Sequence, residues 1–390
     1  MERKYTKEDP NMKLGFGFMR LPQTDENDEA SIDLPQVEKM VDHFFQQGFT
    51  YCDTAYMYHD FKSEDAVGKA VVDRYPRDSF TIASKMPLGM LKKEEDVGRI
   101  FKEQMEKLHV RYFDYYLMHD MNKTNYETAQ KFHVIDFARK MKQEGKIHHL
   151  GFSCHDTPEH LDRVLTENPD LEFVQLQINY LDWDSDAIQS GACYRVCEKH
   201  QKPVIVMEPV KGGTLAKVPA EVEKMLKDCH PDWSPASWAI RFAASLPMVK
   251  VVLSGMSNME QLEDNTSYMQ NFRPLNQEEK DLLKKAADII HNTIAIPCTG
   301  CRYCIEENHC PQNIPIPRYF NLYNTESLCP GRDWSPEQEY YANSVNDGFG
   351  RASACIECRG CERVCPQHLP ITDLLKKVNG MLEENNFMLK

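Results

Sequence analysis

Eight of the chain's fourteen cysteines lie in two short groups near its C-terminal end. Each group has the spacing CxxCxxC, followed by a fourth Cys directly before Pro. Three thiolates at this spacing can bind three corners of a [4Fe-4S] cluster, and in two-cluster proteins the Cys before Pro binds the other cluster. The sequence therefore predicts one cluster on Cys298, Cys301, Cys304 and Cys365 and a second on Cys355, Cys358, Cys361 and Cys310.

Zinc is the alternative occupant, because eight thiolates could form two tetrahedral Cys₄ sites. The third Cys of each triplet and the Cys-Pro endings favour iron–sulfur clusters. The first group has five residues before its last Cys where the usual number is three. Because that Cys serves the other cluster, a longer loop can be accommodated. Thiolate ligands require reduced cysteines, so we expect a cytoplasmic protein.

Composition excludes several classes of function. A chain of 390 residues exceeds the size of a single core, which predicts one large domain and one small domain. No run of eighteen apolar residues occurs and the charged start lacks a secretory signal, so we expect neither a membrane span nor export. A net charge of −14 disfavours binding to nucleic acid or anionic lipid.

The elements that must position this chemistry precede the cysteines. From residue 14 to about 270, short apolar runs alternate with longer amphipathic segments, as in repeated βα units. Their number and length predict a TIM (β/α)₈ barrel. A doubly wound open sheet is the alternative, but no GxGxxG motif follows the first strand. The predicted strands are 14–19, 50–54, 80–86, 113–119, 148–154, 173–179, 203–208 and 249–255.

We predict a barrel over 1–275, a linking helix within 276–297 and a small domain over 298–390. The small domain resembles two-cluster ferredoxins and carries an insertion at 311–354 that is rich in aromatic residues. The end of the chain predicts a closing helix that packs on one of the two domains.

Polar side chains follow three of the predicted strands, where a TIM barrel carries its catalytic groups. Asp53 and Tyr58 follow the second strand, Lys85 ends the third and His119 ends the fourth. When hydride reduces a carbonyl, a proton donor must reach the oxygen, and Tyr58 would be that donor. The Lys85 cation would lower the pKa of Tyr58, and Asp53 would hold Lys85. His119 would orient the carbonyl through a neutral imidazole N–H.

These four residues resemble the tetrad of the aldo-keto reductases in identity, order and strand position. The resemblance covers about residues 14–270 and includes the segments GFSCH and VQLQIN. With the cysteines, it extends to the iron–sulfur branch of that family. It implies NAD(P)H as coenzyme, with Ser153 and Gln175 on the nicotinamide carboxamide. Cys154 stands where the family usually has Asn.

The phosphates of such a coenzyme should lie at the loops after the seventh and eighth strands, where TIM barrels bind phosphate on backbone N–H groups. The second loop has no basic side chain for a 2′-phosphate and carries Glu260, so the sequence does not favour NADPH over NADH. The predicted contacts are Lys211, Gly212, Gly213, Ser254, Gly255 and Ser257.

The two predicted chemistries differ in their electron count, because a [4Fe-4S] cluster transfers one electron and a nicotinamide transfers a hydride. A bound flavin could connect them, or the substrate could tolerate a radical. In a third alternative the clusters are structural and the barrel is an ordinary NAD(P)H-dependent reductase.

We expect an oxidoreductase that reduces or oxidises a small carbonyl or alcohol with NAD(P)H and exchanges electrons through two [4Fe-4S] clusters. Its partner would be a ferredoxin or another electron carrier. The alternative is an electron-transfer or redox-sensing protein whose barrel is a scaffold without catalysis. The sequence gives neither the substrate nor the oligomeric state.

Overall fold

The computed structural model describes residues 12–25, 28–184, 188–291, 295–327, 336–346, 348–384, 386 and 389. Within these residues, eight parallel strands pair in sequence order, and the first also pairs with the eighth to close a barrel. The predicted TIM barrel is confirmed, and the open sheet is wrong. The strands are β1 Leu14–Gly17, β2 Tyr51–Asp53, β3 Thr81–Pro87, β4 Phe113–His119, β5 Ile147–Cys154, β6 Phe173–Gln177, β7 Val204–Met207 and β8 Val249–Ser254.

A layer of apolar side chains fills the interior of the barrel. It includes Tyr51, Ala83, Leu117 and Phe173, one residue from each of four strands. Side chains two positions apart in a strand point to the same face. The inward position that follows each of these residues therefore lies one layer closer to the C-terminal mouth of the barrel. The four residues at that level are Asp53, Lys85, His119 and Gln175.

Amphipathic helices cover the outside of the barrel. In the first, the Asp33 side chain accepts a hydrogen bond from the Gln36 N–H, and the predicted stripe from Val37 to Phe45 is buried. The helices of this part are α1 Leu34–Gln46, α2 Tyr58–Phe61, α3 Ser63–Val67, α4 Glu95–Lys107, α5 Lys123–Lys131, α6 Val134–Gln143, α7 Pro158–Glu167, α8 Ser190–Lys199, α9 Ala220–Cys229, α10 Pro235–Ala244 and α11 Met259–Met269.

The linking segment forms a helix, α12 Gln277–His291. Its buried Leu283 and Ile290 pack with Leu226 and Trp238 of the barrel's outer helices. The chain therefore leaves the barrel with this helix held against the barrel's side.

The insertion and the closing helix build the core of the small domain. Insertion residues Tyr319, Phe320 and Tyr341 share one apolar cluster with Leu374 and Leu375 of the closing helix. The closing helix thus packs on the small domain, and the insertion supplies the bulky side chains that the short cysteine segments lack. The helices here are α13 Tyr303–Glu306, α14 Ile316–Ser327, α15 Pro336–Asn346, α16 Gly360–Arg363 and α17 Ile371–Val378.

Replacing Phe320 by Ala should destabilise the small domain by roughly 3–5 kcal/mol, because the ring is fully buried and a cavity would remain. The variant purified without oxygen should contain less iron than the wild type. The far-UV circular dichroism signal of the barrel should be unchanged. Phe349→Ala is the matched control, since that ring is 36% exposed. Equal iron content in the two variants would contradict a core role for the insertion.

Candidate functional site

The centre of the site is the Lys85 ammonium, which is completely buried. Its Nζ lies 2.6 Å from Asp53 Oδ1 and 2.7 Å from the Thr54 carbonyl oxygen. The third partner is Tyr58, whose hydroxyl oxygen lies 3.4 Å from Nζ. The rings of Tyr58 and His119 stand edge to face, with centroids 6.0 Å apart. The structure therefore brings the four predicted tetrad residues together.

A strained turn presents Tyr58 to this centre. The two following residues, His59 and Asp60, have φ angles of 53° and 49°, a backbone region that is uncommon for residues with a side chain. His59 fixes the turn because its Nε2 accepts from the Leu21 N–H at 3.0 Å. Its Nδ1 then carries the hydrogen and donates to the Glu29 carbonyl oxygen at 3.0 Å. The neutral His59 ring therefore ties the Tyr58 turn to the β1–α1 loop.

A buried polar network holds the backbone of Lys85. The Gln104 amide donates to the Lys85 carbonyl oxygen at 2.9 Å and to Glu64 at 2.8 Å. Glu64 also accepts from Ser84 at 2.6 Å. Burial raises the pKa of Glu64 to about 7, although these two hydrogen bonds lower it in part. The network orients the third strand from behind, on the side away from the barrel interior.

Burial and charge act in opposite directions on the tetrad. Burial alone would lower the pKa of Lys85, but the Asp53 carboxylate reverses the shift and raises it. Burial raises the pKa of Tyr58, and the Lys85 cation opposes only part of that shift. The predicted lowering of the Tyr58 pKa is therefore outweighed in the closed site, where the phenol stays protonated.

His119 is neutral and is engaged from outside the barrel. Burial, assisted by the Lys85 cation, places the pKa of His119 well below its ordinary value. Its Nε2 lies 3.2 Å from the hydroxyl oxygen of Tyr303. Tyr303 stands between the predicted cluster ligands Cys301 and Cys304 and is 4% exposed. The sequence analysis missed this residue, since no strand or spacing rule connects it to the tetrad.

The structure brings cysteines of each predicted set together. The described cysteines are free thiols. Burial raises the pKa of Cys361 to about 12, and the nearby Cys355 and Cys310 thiols contribute to that shift. Cys310 thus lies near the second triplet. This position agrees with the prediction that the last Cys of the first group binds the second cluster. The first predicted set lines a single cavity: Cys298, Cys301, Cys304 and Cys365.

The two residues that were predicted to bind the nicotinamide carboxamide are adjacent. Ser153 and Gln175 face each other across the β5–β6 pairing. The Ser153 hydroxyl accepts from the Asp120 N–H at 2.8 Å, and the Gln175 amide oxygen has no hydrogen-bond partner within the described part of the chain. Cys154 is buried, and burial raises its pKa well above the ordinary value. A reactive thiolate is therefore disfavoured there.

The loop after β7 contacts the small domain rather than open space. Lys211 Nζ lies 2.7 Å and 2.9 Å from the two Asp182 carboxylate oxygens and 2.8 Å from Gln367 Oε1. A Cβ on Gly212 would overlap the carbonyl oxygen of Thr299. Gly213 has no such neighbour. The predicted phosphate loop is therefore covered by the residues around the first cluster site.

The loop after β8 is partly open. Ser254 accepts from Asn265 Nδ2 at 2.8 Å, and Ser257 donates to the Arg20 carbonyl oxygen at 2.8 Å. Gly255 packs on the Arg20 side chain, and Glu260 is exposed.

Ser257 lines a cleft of about 230 Å³ that also reaches Tyr58 and is bounded by Gly300 and Arg302 of the small domain. This is smaller than the roughly 300–1,000 Å³ of typical ligand pockets. Residues of the small domain therefore occupy part of the mouth of the barrel in this arrangement of the domains.

Two family models match the chain. The model described as the aldo/keto reductase family matches residues 13–288. The model described as a 4Fe-4S dicluster domain matches residues 297–369. The predicted resemblance is confirmed, and the second match supports iron–sulfur clusters rather than zinc.

Individual relatives agree with these matches. The chain is 23% identical over 299 residues to the uncharacterised oxidoreductase YqkF of Bacillus subtilis, covering 68% of this chain and 90% of the relative. It is 22% identical over 268 residues to L-galactose dehydrogenase of Arabidopsis thaliana, covering 61% and 79%.

A solved structure shows the same fold. The crystal structure of an aldo-keto reductase from Klebsiella pneumoniae in complex with NADPH has a TM-score of 0.56 and 21% identity. The match covers 70% of this chain and 90% of that one. In the described part of this chain, no helix is both long enough and apolar enough to cross a membrane.

Glu64→Gln should flatten the pH dependence of barrel stability. Because the folded pKa of Glu64 is raised from 4.5 to about 7, the folded state keeps a proton that the unfolded chain has lost. This contribution to stability is complete below the unfolded pKa and declines as pH rises through about 7. From about pH 5.5 to 7.5 the wild-type free energy of unfolding should lose about 2 kcal/mol through this group, and the variant should not.

Urea unfolding without oxygen, followed by far-UV circular dichroism at the two pH values, measures this difference. The control is Glu95→Gln, which removes the same charge from an exposed position. If Glu64→Gln retains the wild-type slope, Glu64 does not carry the proton.

Proposed function

Because the chain belongs to the aldo/keto reductase family and joins that barrel to an iron–sulfur domain, we propose that it interconverts a carbonyl and an alcohol on a small molecule with electrons supplied through the iron–sulfur domain. The chain is an oxidoreductase by its family and by its relatives. The electron route is the part that goes beyond that assignment.

One observation carries the proposal: the buried Lys85 ammonium contacts both Asp53 and the Tyr58 hydroxyl. Reduction of a carbonyl consumes two electrons and two protons and leaves a hydroxyl on the former carbonyl carbon. Tyr58 donates the proton that the oxygen needs, and Lys85 stabilises the phenolate that remains. Water supplies the second proton, which bonds to the carbon. In the oxidative direction the phenolate takes the proton back. The neutral ring of His119 is suited to hydrogen bonding with the substrate oxygen.

Two [4Fe-4S] clusters would supply electrons one at a time, so two reduced clusters hold the two electrons that one carbonyl requires. Tyr303, which contacts His119 of the tetrad, lies in the chain between two of the cysteines that would hold the first cluster. The second set lies toward the surface, where Cys358 is exposed and Ile356 is 59% exposed. This order suits a one-electron carrier, such as a ferredoxin, that docks at the second set.

The predicted NAD(P)H has no role in this proposal, because Thr299 and Gln367 of the small domain stand at the loop and strand that were predicted to bind it. A flavin stays a prediction, and its phosphate would meet the same covered β7 loop. The scaffold alternative does not account for a complete buried tetrad, since a buried charge is costly to retain without use. We place the protein in the cytoplasm, because eight cluster thiols need a reducing compartment.

Tyr58→Phe should lower turnover at least about 10²-fold, because it removes the proton donor and leaves the ring in place. Turnover is measured anaerobically with reduced methyl viologen and a panel of aromatic and aliphatic aldehydes. Tyr56→Phe is the matched control, because the Tyr56 hydroxyl donates to Glu103, outside the tetrad. The visible iron–sulfur absorption should be the same in both variants. Full activity in Tyr58→Phe would refute the assignment of the donor.

Protein purified without oxygen should contain about eight iron and eight sulfide ions per chain, the content of two [4Fe-4S] clusters. Iron, acid-labile sulfide and zinc analysis measures this content. Reduction by dithionite should produce two interacting electron paramagnetic resonance signals, and Cys310→Ser should alter the signal that Cys365→Ser leaves unchanged. About two zinc ions and no sulfide would instead establish the zinc alternative.

A further inference from the structure

We propose that the iron–sulfur domain occupies the groove in which the barrel would bind a dinucleotide, so that NAD(P)H and the docked domain exclude each other. The docking loop, residues 299–303, lies between the first and third predicted cluster ligands, Cys298 and Cys304, and contains the second, Cys301. The inference rests on the proposed function only for the identity of the tetrad. Its measurement is binding rather than turnover.

The docking loop first meets the barrel at the β7 loop. Thr299 approaches Gly212 so closely that no side chain would fit at that glycine. A dinucleotide phosphate bound on the backbone of this loop would need the space that Thr299 fills. Lys211 cannot compensate, because its buried ammonium already pairs with Asp182 and Gln367. Moving it to a phosphate would leave a buried carboxylate without its cation.

The second contact lies between the β7 loop and the predicted nicotinamide residues. Gln177 and Gln367 exchange two amide hydrogen bonds, of 3.0 Å and 2.8 Å, and both side chains are buried. Gln177 is the inward position that follows Gln175 along β6. The Gln367 side chain therefore occupies the space directly above the predicted carboxamide contact.

The third contact is at the tetrad. The Tyr303 hydroxyl meets His119 Nε2, and the His155 ring stands edge to face against the Tyr303 ring at 5.8 Å. Tyr303 thus fills the space beside the imidazole that a nicotinamide would enter. The three contacts therefore lie at the predicted phosphate loop, beside the predicted carboxamide contact and at the tetrad, which are the places where the sequence predicts that a dinucleotide binds.

Polar contacts at the rim hold the domain in this position. Arg302 pairs with Glu29 at 2.7 Å, and Arg20 donates to the Thr299 carbonyl oxygen at 3.0 Å. These rim groups therefore pair with specific partners across the interface, as a defined docked state requires. Electrons that enter while the domains are docked must come through the iron–sulfur domain.

The test is dinucleotide binding to the anaerobic holoprotein, measured for NADPH and NADH by equilibrium dialysis. Hydrogen exchange of the peptides that contain residues 208–213 and 299–303 reports docking in the same samples. The opening variant is Arg302→Glu combined with Gln367→Ala, which opposes Glu29 with a like charge and removes the amide pair. Arg351→Glu is the matched control, because Arg351 pairs with Glu383 within the small domain at 3.9 Å. Iron content is checked for each variant.

We expect wild type and control to bind NADPH with a Kd above about 1 mM, which corresponds to about −4 kcal/mol. The opening variant should exchange faster at both peptides and bind NADPH at least about tenfold more tightly. Wild-type binding accompanied by faster exchange at 299–303 would also support exclusion. Micromolar binding to wild type without faster exchange would overturn the proposal. So would a variant that exchanges faster but gains no affinity.

A second pair of variants tests the contact if the opening variant does not open fully. In Gly212→Ala the new Cβ must displace Thr299, whereas Gly213→Ala also has a positive φ but lacks that overlap. Faster exchange at 299–303 only in Gly212→Ala is expected, and equal exchange in the two glycine variants would argue against the close contact. Loss of turnover in Tyr58→Phe would not be affected by any of these results. The failure of the exclusion and the failure of the proposed reaction are therefore distinguishable.

Discussion

The buried ion pair of Lys85 and Asp53 is the constraint around which the rest of the site is arranged. An ammonium without solvent contact is costly unless charge and hydrogen bonds compensate it. Asp53, the Thr54 carbonyl and the Tyr58 hydroxyl provide that compensation. Asp53 ends β2 and Thr54 follows it. Because both groups must reach Lys85 on β3, the two strands must pair in one register. The Gln104 network behind Lys85 fixes the strand that carries the cation.

The docking of the second domain extends the same constraint outward. His119, Gln177 and Lys211 lie at the mouth of the barrel. Because the second domain excludes water there, these side chains need polar partners. In this chain Tyr303 and Gln367 are those partners, and both are close neighbours of cysteine ligands. The segments that hold the first cluster therefore also complete the polar lining of the barrel. A one-electron centre held by the predicted ligands would be separated from the tetrad by the Tyr303 side chain.

The sequence predicted the barrel and its tetrad because both follow from local periodicity. Strand ends fell within two residues of the predicted ends, and the inward alternation that fills the interior also places Asp53, Lys85 and His119 at the mouth. Tyr303 and Gln367 could not be predicted in this way. Their roles depend on how two separately folded surfaces meet, which no spacing along the chain records. Glu64 was missed because a buried carboxylate in a helical segment has the same pattern as an exposed one.

Gly212 has the predicted conformational role but a different neighbour from the predicted one. A glycine in a loop after a barrel strand indicates that another group approaches the backbone closely, and a phosphate was the predicted group. The structure contains a close approach at that glycine, but the neighbour is the Thr299 carbonyl. The neighbouring Gly213 is open on the same side and has a φ of 100°, so it serves the turn alone. The two glycines therefore have different roles: Gly212 permits the domain contact and Gly213 permits the turn. The sequence pattern does not distinguish these roles.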